Sequence, residues 1–369
     1  MSSWTYTNPV KLRFGAGVIG EIGSFVAGRP YLLVTHPDAP MAQWRDQIVA
    51  RAGAPLAVVD EIEPNPSLNM LERICARLGT EGHRPALIVA LGGGSVIDSA
   101  KFLAAGHGAY APVHALLDQG LELSRPSLPL IAVPTTTGTG SDLTKWATIW
   151  DTGKGRKLSL NRDDLYAEVA LVDPDLTTSL PWTLTLTTGL DALSHSLESL
   201  WNRNANPISR GHAVLATRDI MAALPRLQAD LSDRAARRLL AMGATRAGLA
   251  FSNTQTALAH NISYPLTLRH GVVHGIACSF CLPEVMQTAL NVDADCDRAL
   301  EQIFGDIVSA PQRLRTFLNG LGVPSAASEF GAGDAEWHDI VTEAFSGPRG
   351  RNFIGHLQKF PMQKMTVSA

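Results

Sequence analysis

No stretch of the 369 residues stays apolar for the roughly 18 positions that a membrane-spanning helix needs. Cysteine is scarce, with four at 75, 278, 281 and 296, too few and too irregularly spaced for a disulfide framework. Charge of one sign is missing too. Lys and Arg number 31 against 34 Asp and Glu, a net charge of −3, which gives nucleic acid or an anionic membrane no reason to bind. The first residues, Met1-Ser2-Ser3-Trp4-Thr5, lack the basic and apolar regions of a secretory leader, so a cytoplasmic protein is expected. What is present is 45% apolar residues in a chain too long for one ordinary domain. Two domains are expected, with a boundary near 180: an α/β unit over 1–180 and an all-helical unit over 181–369.

The first half alternates short apolar runs with helical periodicity. Runs at 31–35, 54–59, 86–91 and 128–133 read as buried strands, and 41–52 and 67–79 as helices. Such alternation predicts a parallel, Rossmann-like sheet with ligands beyond the carboxyl ends of its strands. The run at 86–91 leads into Gly92-Gly93-Gly94-Ser95 and on to Asp98 and Lys101. Three glycines let the backbone approach a bulky ligand, and a helix starting near Ser95 would offer free N–H groups to a diphosphate. Ser95 and Asp98 also fit a capping box, and the spacing from Gly92 is not G-x-G-x-x-G. A second polar loop, Thr135-Thr136-Thr137-Gly138-Thr139-Gly140-Ser141-Asp142, follows the next buried run.

Beyond Asp173 the alternation stops, and 187–202, 208–224, 233–260 and 298–320 read as helices. Residues 241–250 are rich in small side chains, as in a closely packed inner helix. Asp191 and His195 sit four apart, on one helical face, and residues 260–274 carry three imidazoles, His260, His270 and His274. Asp and His together suit a divalent transition metal. Cys278 and Cys281 form a single C-x-x-C in an apolar run, which is expected to be two buried core thiols.

Together these stretches resemble the iron-containing (group III) alcohol dehydrogenases over roughly residues 8–290. The resemblance implies a nucleotide-binding α/β domain followed by a helical metal domain. It implies metal ligands Asp191, His195, His260 and His274. It implies cofactor contacts at Asn65, Gly92, Gly93, Gly94, Ser95, Asp98, Thr135, Thr136, Thr139, Ser141 and Lys157. The metal would be Fe²⁺, with Zn²⁺ as substitute, acting as a Lewis acid on a carbonyl during hydride transfer with NAD(H) or NADP(H). Family habit suggests a homodimer.

Three departures qualify the match. Tyr264 stands where many members have a His four residues after the third ligand, so proton delivery could fall to Tyr264, His270 or water. Asp142 replaces a usual Glu. After the run at 31–35 the chain reads His36-Pro37-Asp38 where an Asp often meets the adenosine ribose, which leaves NAD against NADP open. Within the family, residues 145–150, 198–207 and 259–267 look most like phosphonoacetaldehyde reductases, which interconvert phosphonoacetaldehyde and 2-hydroxyethylphosphonate. A phosphonate dianion demands a cationic pocket, and Lys145, Arg203 and Arg269 are the candidates. The alternatives are a dehydrogenase of a neutral short-chain alcohol and a non-catalytic nucleotide- or metal-binding protein.

Overall fold

A computed structural model describes residues 3–362 and divides into two compact units. The first spans Asn8–Leu180. Its sheet has six parallel strands, β1 (Lys11–Phe14), β2 (Tyr31–Val34), β3 (Ala57–Val59), β4 (Leu87–Gly92), β5 (Leu130–Pro134) and β8 (Val169–Val172), in the order β1-β8-β5-β4-β2-β3. Every residue of β2, β4, β5 and β8 is buried. Continuous apolar strands are what a sheet covered on both faces requires. One face packs a cluster holding Ile88, Ala90 and Phe102; the other packs Leu33, Val89 and Ile131. Five helices belong to this unit: α1 (Ile22–Val26), α2 (Ala39–Ala52), α3 (Leu68–Glu81), α4 (Gly94–Gly106) and α5 (Tyr110–Gln119). Ser67 starts α3 by accepting the N–H of Met70.

A two-stranded antiparallel hairpin, β6 (Trp146–Asp151) and β7 (Arg156–Asn161), is an addition that the apolar runs do not announce. Its burial alternates along β6, with Ala147, Ile149 and Asp151 turned inward. The hairpin is tied to the loop before α3, where the N–H of Trp150 donates to the carbonyl of Pro66 at 2.8 Å.

The second unit runs from Pro181 onward and also takes in the N-terminal segment up to Thr7, which the sequence reading assigns to the first domain. The reason is specific bonding: Tyr6 Oη donates to Leu249 O at 3.1 Å, and the N–H of Thr7 to Asn253 Oδ1 at 2.8 Å. The unit is built from α6 (Trp182–Leu200), α7 (Pro207–Ala229), α8 (Arg234–Thr254), α9 (Leu258–His270), α10 (His274–Ser279), α11 (Leu282–Ala289), α12 (Ala294–Phe304), α13 (Ala310–Gly320) and α14 (Asp334–Ser346). None of the helices among the described residues is long and apolar enough to cross a membrane.

Two expected helices are each broken in two. The stretch 233–260 stops at Gln255, whose φ of +64° cannot continue a helix. That residue is gripped from outside: Asn202 Nδ2 donates to its carbonyl at 3.2 Å and Arg349 Nη1 to its side-chain oxygen. The stretch 298–320 breaks at Gly305 (φ +80°), and Pro311 opens the next helix. The inner helix α6 is buried along nearly its whole length. Gly275 of α10 lies so close that a Cβ there would sit 1.8 Å from Thr187 O. Only glycine lets α10, which begins at His274, lie against α6, which carries Asp191 and His195.

Candidate metal centre

Three helices converge their imidazoles on one carboxylate. Oδ1 of Asp191 lies 3.6 Å from Nε2 of His195, 3.4 Å from Nε2 of His260 and 3.9 Å from Nε2 of His274. One helical turn separates Asp191 from His195, so α6 presents both on the same face. The His195 ring stacks on Phe251 with centroids 3.9 Å apart and planes within 3°, which fixes its plane. Asp191 and His260 are 6% and 3% exposed, yet Oδ1 of the first and Nε2 of the second have no hydrogen-bond partner. Orphaned buried polar atoms are costly, and pointing them at a shared centre fits a bound cation. The donor set of one carboxylate and neutral imidazoles suits Fe²⁺ or Zn²⁺.

Charge separates the three imidazoles. Against the cost of burial, Cys278, Glu198 and Asp191 raise the His260 pKa well above the ordinary imidazole value, and Cys278 and Asp191 raise that of His274. Both rings must therefore give up a proton to take an ion. Burial pushes the His195 pKa down to about 4, so its ring is neutral near pH 7 and keeps a lone pair for an ion. Burial alone would raise Asp191, but the facing imidazoles of His195, His260 and His274, in their protonated forms, hold it well below the usual carboxylate range. Glu198 is the residue that reading the sequence missed. Fully buried, it accepts from His260 Nδ1 at 2.5 Å and from the His260 backbone N–H at 3.2 Å. With Nδ1–H donating there, Nε2 is left as the acceptor facing Asp191, the outer carboxylate arrangement that orients a metal-binding histidine. The signal was available: Glu198 follows Asp191 by seven residues and His195 by three, completing one stripe of α6.

Cys281 joins the hydrophobic core as expected. Cys278 is buried as expected, but its sulfur also meets a polar group, 3.5 Å from Nε2 and 3.6 Å from Nδ1 of His274. Ligand atoms of Asp191, His260, His274 and Cys278 all lie within 4.8 Å of one another. The turn of α10 that brings His274 to the centre brings the residue four later with it.

The remaining candidates of this unit are spread out. Tyr264 lies beside the centre, its ring parallel to that of His274 within 5° at 6.3 Å. His270 Nε2 is bonded to Glu336 at 3.0 Å. Arg269 is exposed and 3.4 Å from the same carboxylate. Nine residues separate it from His260, which puts the two on opposite faces of α9. Arg203 donates from Nε to Phe353 O at 3.1 Å and has no carboxylate partner among the described residues.

In the α/β unit most of the expected cofactor residues follow the carboxyl ends of the adjacent strands β4 and β5, while Asn65 lies after edge strand β3 and Lys157 on β7. Helix α4 starts directly after β4, with Gly93 as its N-cap and no side-chain cap. The capping box is therefore absent: the Ser95 hydroxyl instead accepts the N–H of Asn65 at 3.2 Å, tying in the loop after β3. Asn65 itself has φ +59°. A Cβ on Gly93 would meet Thr136 Oγ1 at 3.0 Å, and one on Gly94 would meet Thr139 Cγ2 at 2.6 Å. The glycine turn and the threonine loop thus fit together only because both positions lack side chains. Asp98 turns inward and accepts the N–H of Thr148 at 2.8 Å, with burial raising its pKa. Lys157, on β7, is near enough that its charge acts on Asp98. Ser141 and Thr135 are buried in the loop after β5.

Lys101 is wholly buried and donates to the carbonyls of Thr144 at 2.7 Å and Trp146 at 2.8 Å, a structural tie between α4 and the hairpin. Lys145 pairs with Asp163 at 2.5 Å. A G-x-G-x-x-G spacing does occur at residues 15–20, but it follows edge strand β1 and opens only the 3₁₀ turn Val18–Glu21. It lacks the long helix whose N-terminus would meet a diphosphate.

Comparison with known proteins agrees with this geometry. Residues 9–174 match the family profile described as iron-containing alcohol dehydrogenase, and residues 185–360 match the Fe-containing alcohol dehydrogenase family, C-terminal. A long-chain-alcohol dehydrogenase 1 of Geobacillus thermodenitrificans is 32% identical over 336 residues, covering 86% of this chain and 83% of that one. A phosphonoacetaldehyde reductase of Streptomyces viridochromogenes is 32% identical over 282 residues, covering 72% and 71%. Among solved structures, sulfoacetaldehyde reductase from Bifidobacterium kashiwanohense in complex with NAD⁺ superposes with a TM-score of 0.89 at 26% identity, covering 97% and 96%. The chain belongs to the iron-containing alcohol dehydrogenase family.

Proposed function

We propose that this family member is a metal-dependent, NAD(P)H-linked aldehyde reductase whose substrate pair is phosphonoacetaldehyde and 2-hydroxyethylphosphonate. The observation that carries the catalytic reading is the cluster of buried Asp191, His195 and His260 with half-exposed His274, and its orphaned Asp191 Oδ1 and His260 Nε2. These residues would hold Fe²⁺ or Zn²⁺, and such an ion supplies Lewis acidity to a carbonyl oxygen. The side chains do the rest. Glu198 fixes the His260 tautomer, Phe251 fixes the His195 plane, and Tyr264 lies beside His274 where a phenol can hold or pass the proton of the alcohol. His270, engaged by Glu336, is the less direct choice for that proton. The loops after β3, β4 and β5 would cradle the dinucleotide, with the N–H groups of α4's first turn toward its phosphates. Asn65, Thr136, Thr139 and Lys157 border the cradle.

The choice of an anionic aldehyde is supported by similarity to relatives named for phosphono- and sulfoacetaldehyde. Of the three cations first singled out, Arg203 suits the phosphonate best, since Lys145 and Arg269 are each opposed by a carboxylate. The protein is expected to work as a cytoplasmic homodimer. The test is oxidation of NADH and NADPH across an aldehyde panel. The reading expects kcat/KM for phosphonoacetaldehyde to exceed that for acetaldehyde and butyraldehyde, with Arg203→Ala narrowing the gap. Equal rates on neutral aldehydes would instead assign a short-chain alcohol dehydrogenase. Cofactor binding without turnover in the metal-loaded protein would leave a non-catalytic binding protein.

A further inference from the structure

We propose that Cys278 is a further metal ligand of this chain, joining Asp191, His195, His260 and His274 around one borderline-soft dication. The inference rests on the reading of that cluster as a metal site and concerns which residues and which metal complete it. Donor atoms of Asp191, His260, His274 and Cys278 lie within 4.8 Å of one another. An ion at about 2.3 Å from sulfur and about 2.05 Å from nitrogen, with the two bonds at about 90–110°, holds those donors about 3.1–3.6 Å apart. The Cys278 sulfur lies 3.5 Å from His274 Nε2. The same ion, at about 2.1 Å from oxygen, holds oxygen and nitrogen about 2.9–3.4 Å apart. Asp191 Oδ1 lies 3.4 Å from His260 Nε2, 3.6 Å from His195 Nε2 and 3.9 Å from His274 Nε2, so the last two close in slightly on an ion. Two of these donors, Asp191 Oδ1 and His260 Nε2, are buried and without a partner.

Local sequence explains the placement. Cys278 follows His274 by one turn of α10, and Gly275 lets that turn lie against α6. Cys281, three residues on, falls in the apolar core and is not a donor. When the ion binds, the Cys278 S–H bond is lost, its proton leaves to solvent, and a sulfur–metal bond forms with no change of oxidation state. Thiolate is a softer donor than imidazole or carboxylate, so Cys278 tilts the centre toward Zn²⁺ and Co²⁺ relative to Fe²⁺. His195 Nε2, 3.6 Å from Asp191 Oδ1, would remain a donor to the same ion.

The experiment uses the full-length protein stripped of metal and reloaded with Co²⁺. The expected result is a near-ultraviolet sulfur-to-cobalt charge-transfer band in the wild type that disappears in Cys278→Ser and persists in Cys281→Ser. X-ray absorption on the zinc-loaded wild type should show one sulfur at about 2.3 Å, a readout that does not depend on any variant folding. Grown with both metals, the wild type should carry a higher zinc-to-iron ratio than Cys278→Ser. Cobalt that binds without the band, cobalt that fails to bind, a band that survives Cys278→Ser, or a zinc shell with no sulfur overturns the proposal. Aldehyde reduction by a protein whose zinc shell contains no sulfur would overturn the Cys278 assignment while leaving the proposed function standing. A sulfur shell in a protein that reduces no aldehyde would do the reverse.

Discussion

The two candidate sites of this molecule are made in opposite ways. In the α/β unit, neighbouring strands end side by side, and the loops that follow use their side chains mainly to hold one another. Ser95 accepts from Asn65, Asp98 accepts from Thr148, and Lys101 grips the carbonyls of Thr144 and Trp146. What such loops offer a ligand is backbone and the absence of Cβ atoms at Gly93 and Gly94. In the helical unit the side chains are themselves the site, drawn from α6, α9 and α10, and three of their buried polar atoms, Asp191 Oδ1, His195 Nδ1 and His260 Nε2, have no hydrogen-bond partner. The first site is shaped by what is missing from the side chains, the second by what the side chains still need. Perturbing them should therefore give different symptoms.

The largest effect is expected at the cluster. His260→Ala or Asp191→Ala removes a donor and should lower kcat/KM by about a thousandfold, the equivalent of several kcal/mol of transition-state stabilisation. Steady-state kinetics with measured metal content checks it, and a loss smaller than tenfold in a metal-free variant would erase the contrast with the loops. One step out, Glu198→Gln keeps the volume but removes the charge that His260 Nδ1 meets. Metal retention against a chelator should weaken by about 10- to 100-fold, with KM for NADH unchanged.

The loops should show the reverse pattern. Gly94→Ala places a Cβ 2.6 Å from Thr139 Cγ2 and should raise KM for NADH while leaving metal content intact. Overpacking of this kind costs about 1–3 kcal/mol of stability, and trimming Thr139→Ala in the same chain should recover part of it.

A smaller effect concerns pH. Burial raises the Asp142 pKa to about 6, above the unfolded value of about 3.9. A raised folded pKa means that the stabilisation is present below about pH 4 and is lost as pH rises through 6. Chemical denaturation between pH 4 and 7 should therefore show a falling component in the wild type that Asp142→Asn lacks. At neutral pH the variant should be more stable by about 1–2 kcal/mol.

Legibility in the sequence followed the same division. Strands β2, β4 and β5 and the glycine and threonine loops are contiguous, so runs and motifs exposed them. The β6–β7 hairpin was hidden because its alternation of buried and exposed residues is short and carries charged and polar side chains on both strands. At the cluster, the i,i+4 pair of Asp191 and His195 was visible, and the family resemblance supplied His260 and His274. Glu198 lay on the same stripe and was passed over because a carboxylate on a helix usually faces water. Cys278 reads as a core thiol and is buried, but a C-x-x-C in an apolar run does not say which sulfur turns to a neighbouring imidazole. The break at Gln255 was not readable at all. It is imposed by Asn202 and Arg349, which are 53 and 94 residues away in the chain. Arg269 adjoins the site motif in sequence yet lies across the helix from His260, a reminder that adjacency along a helix is not adjacency in space.

The central claim is that aldehyde reduction depends on an ion held by the helical cluster. The most direct measurement is phosphonoacetaldehyde-dependent NAD(P)H oxidation by one preparation before chelation, after chelation, and after return of Fe²⁺ or Zn²⁺, with metal content determined at each stage. The account expects activity to fall with the bound metal and to return with one equivalent of ion per chain. Full turnover in protein from which the metal has been removed would contradict it.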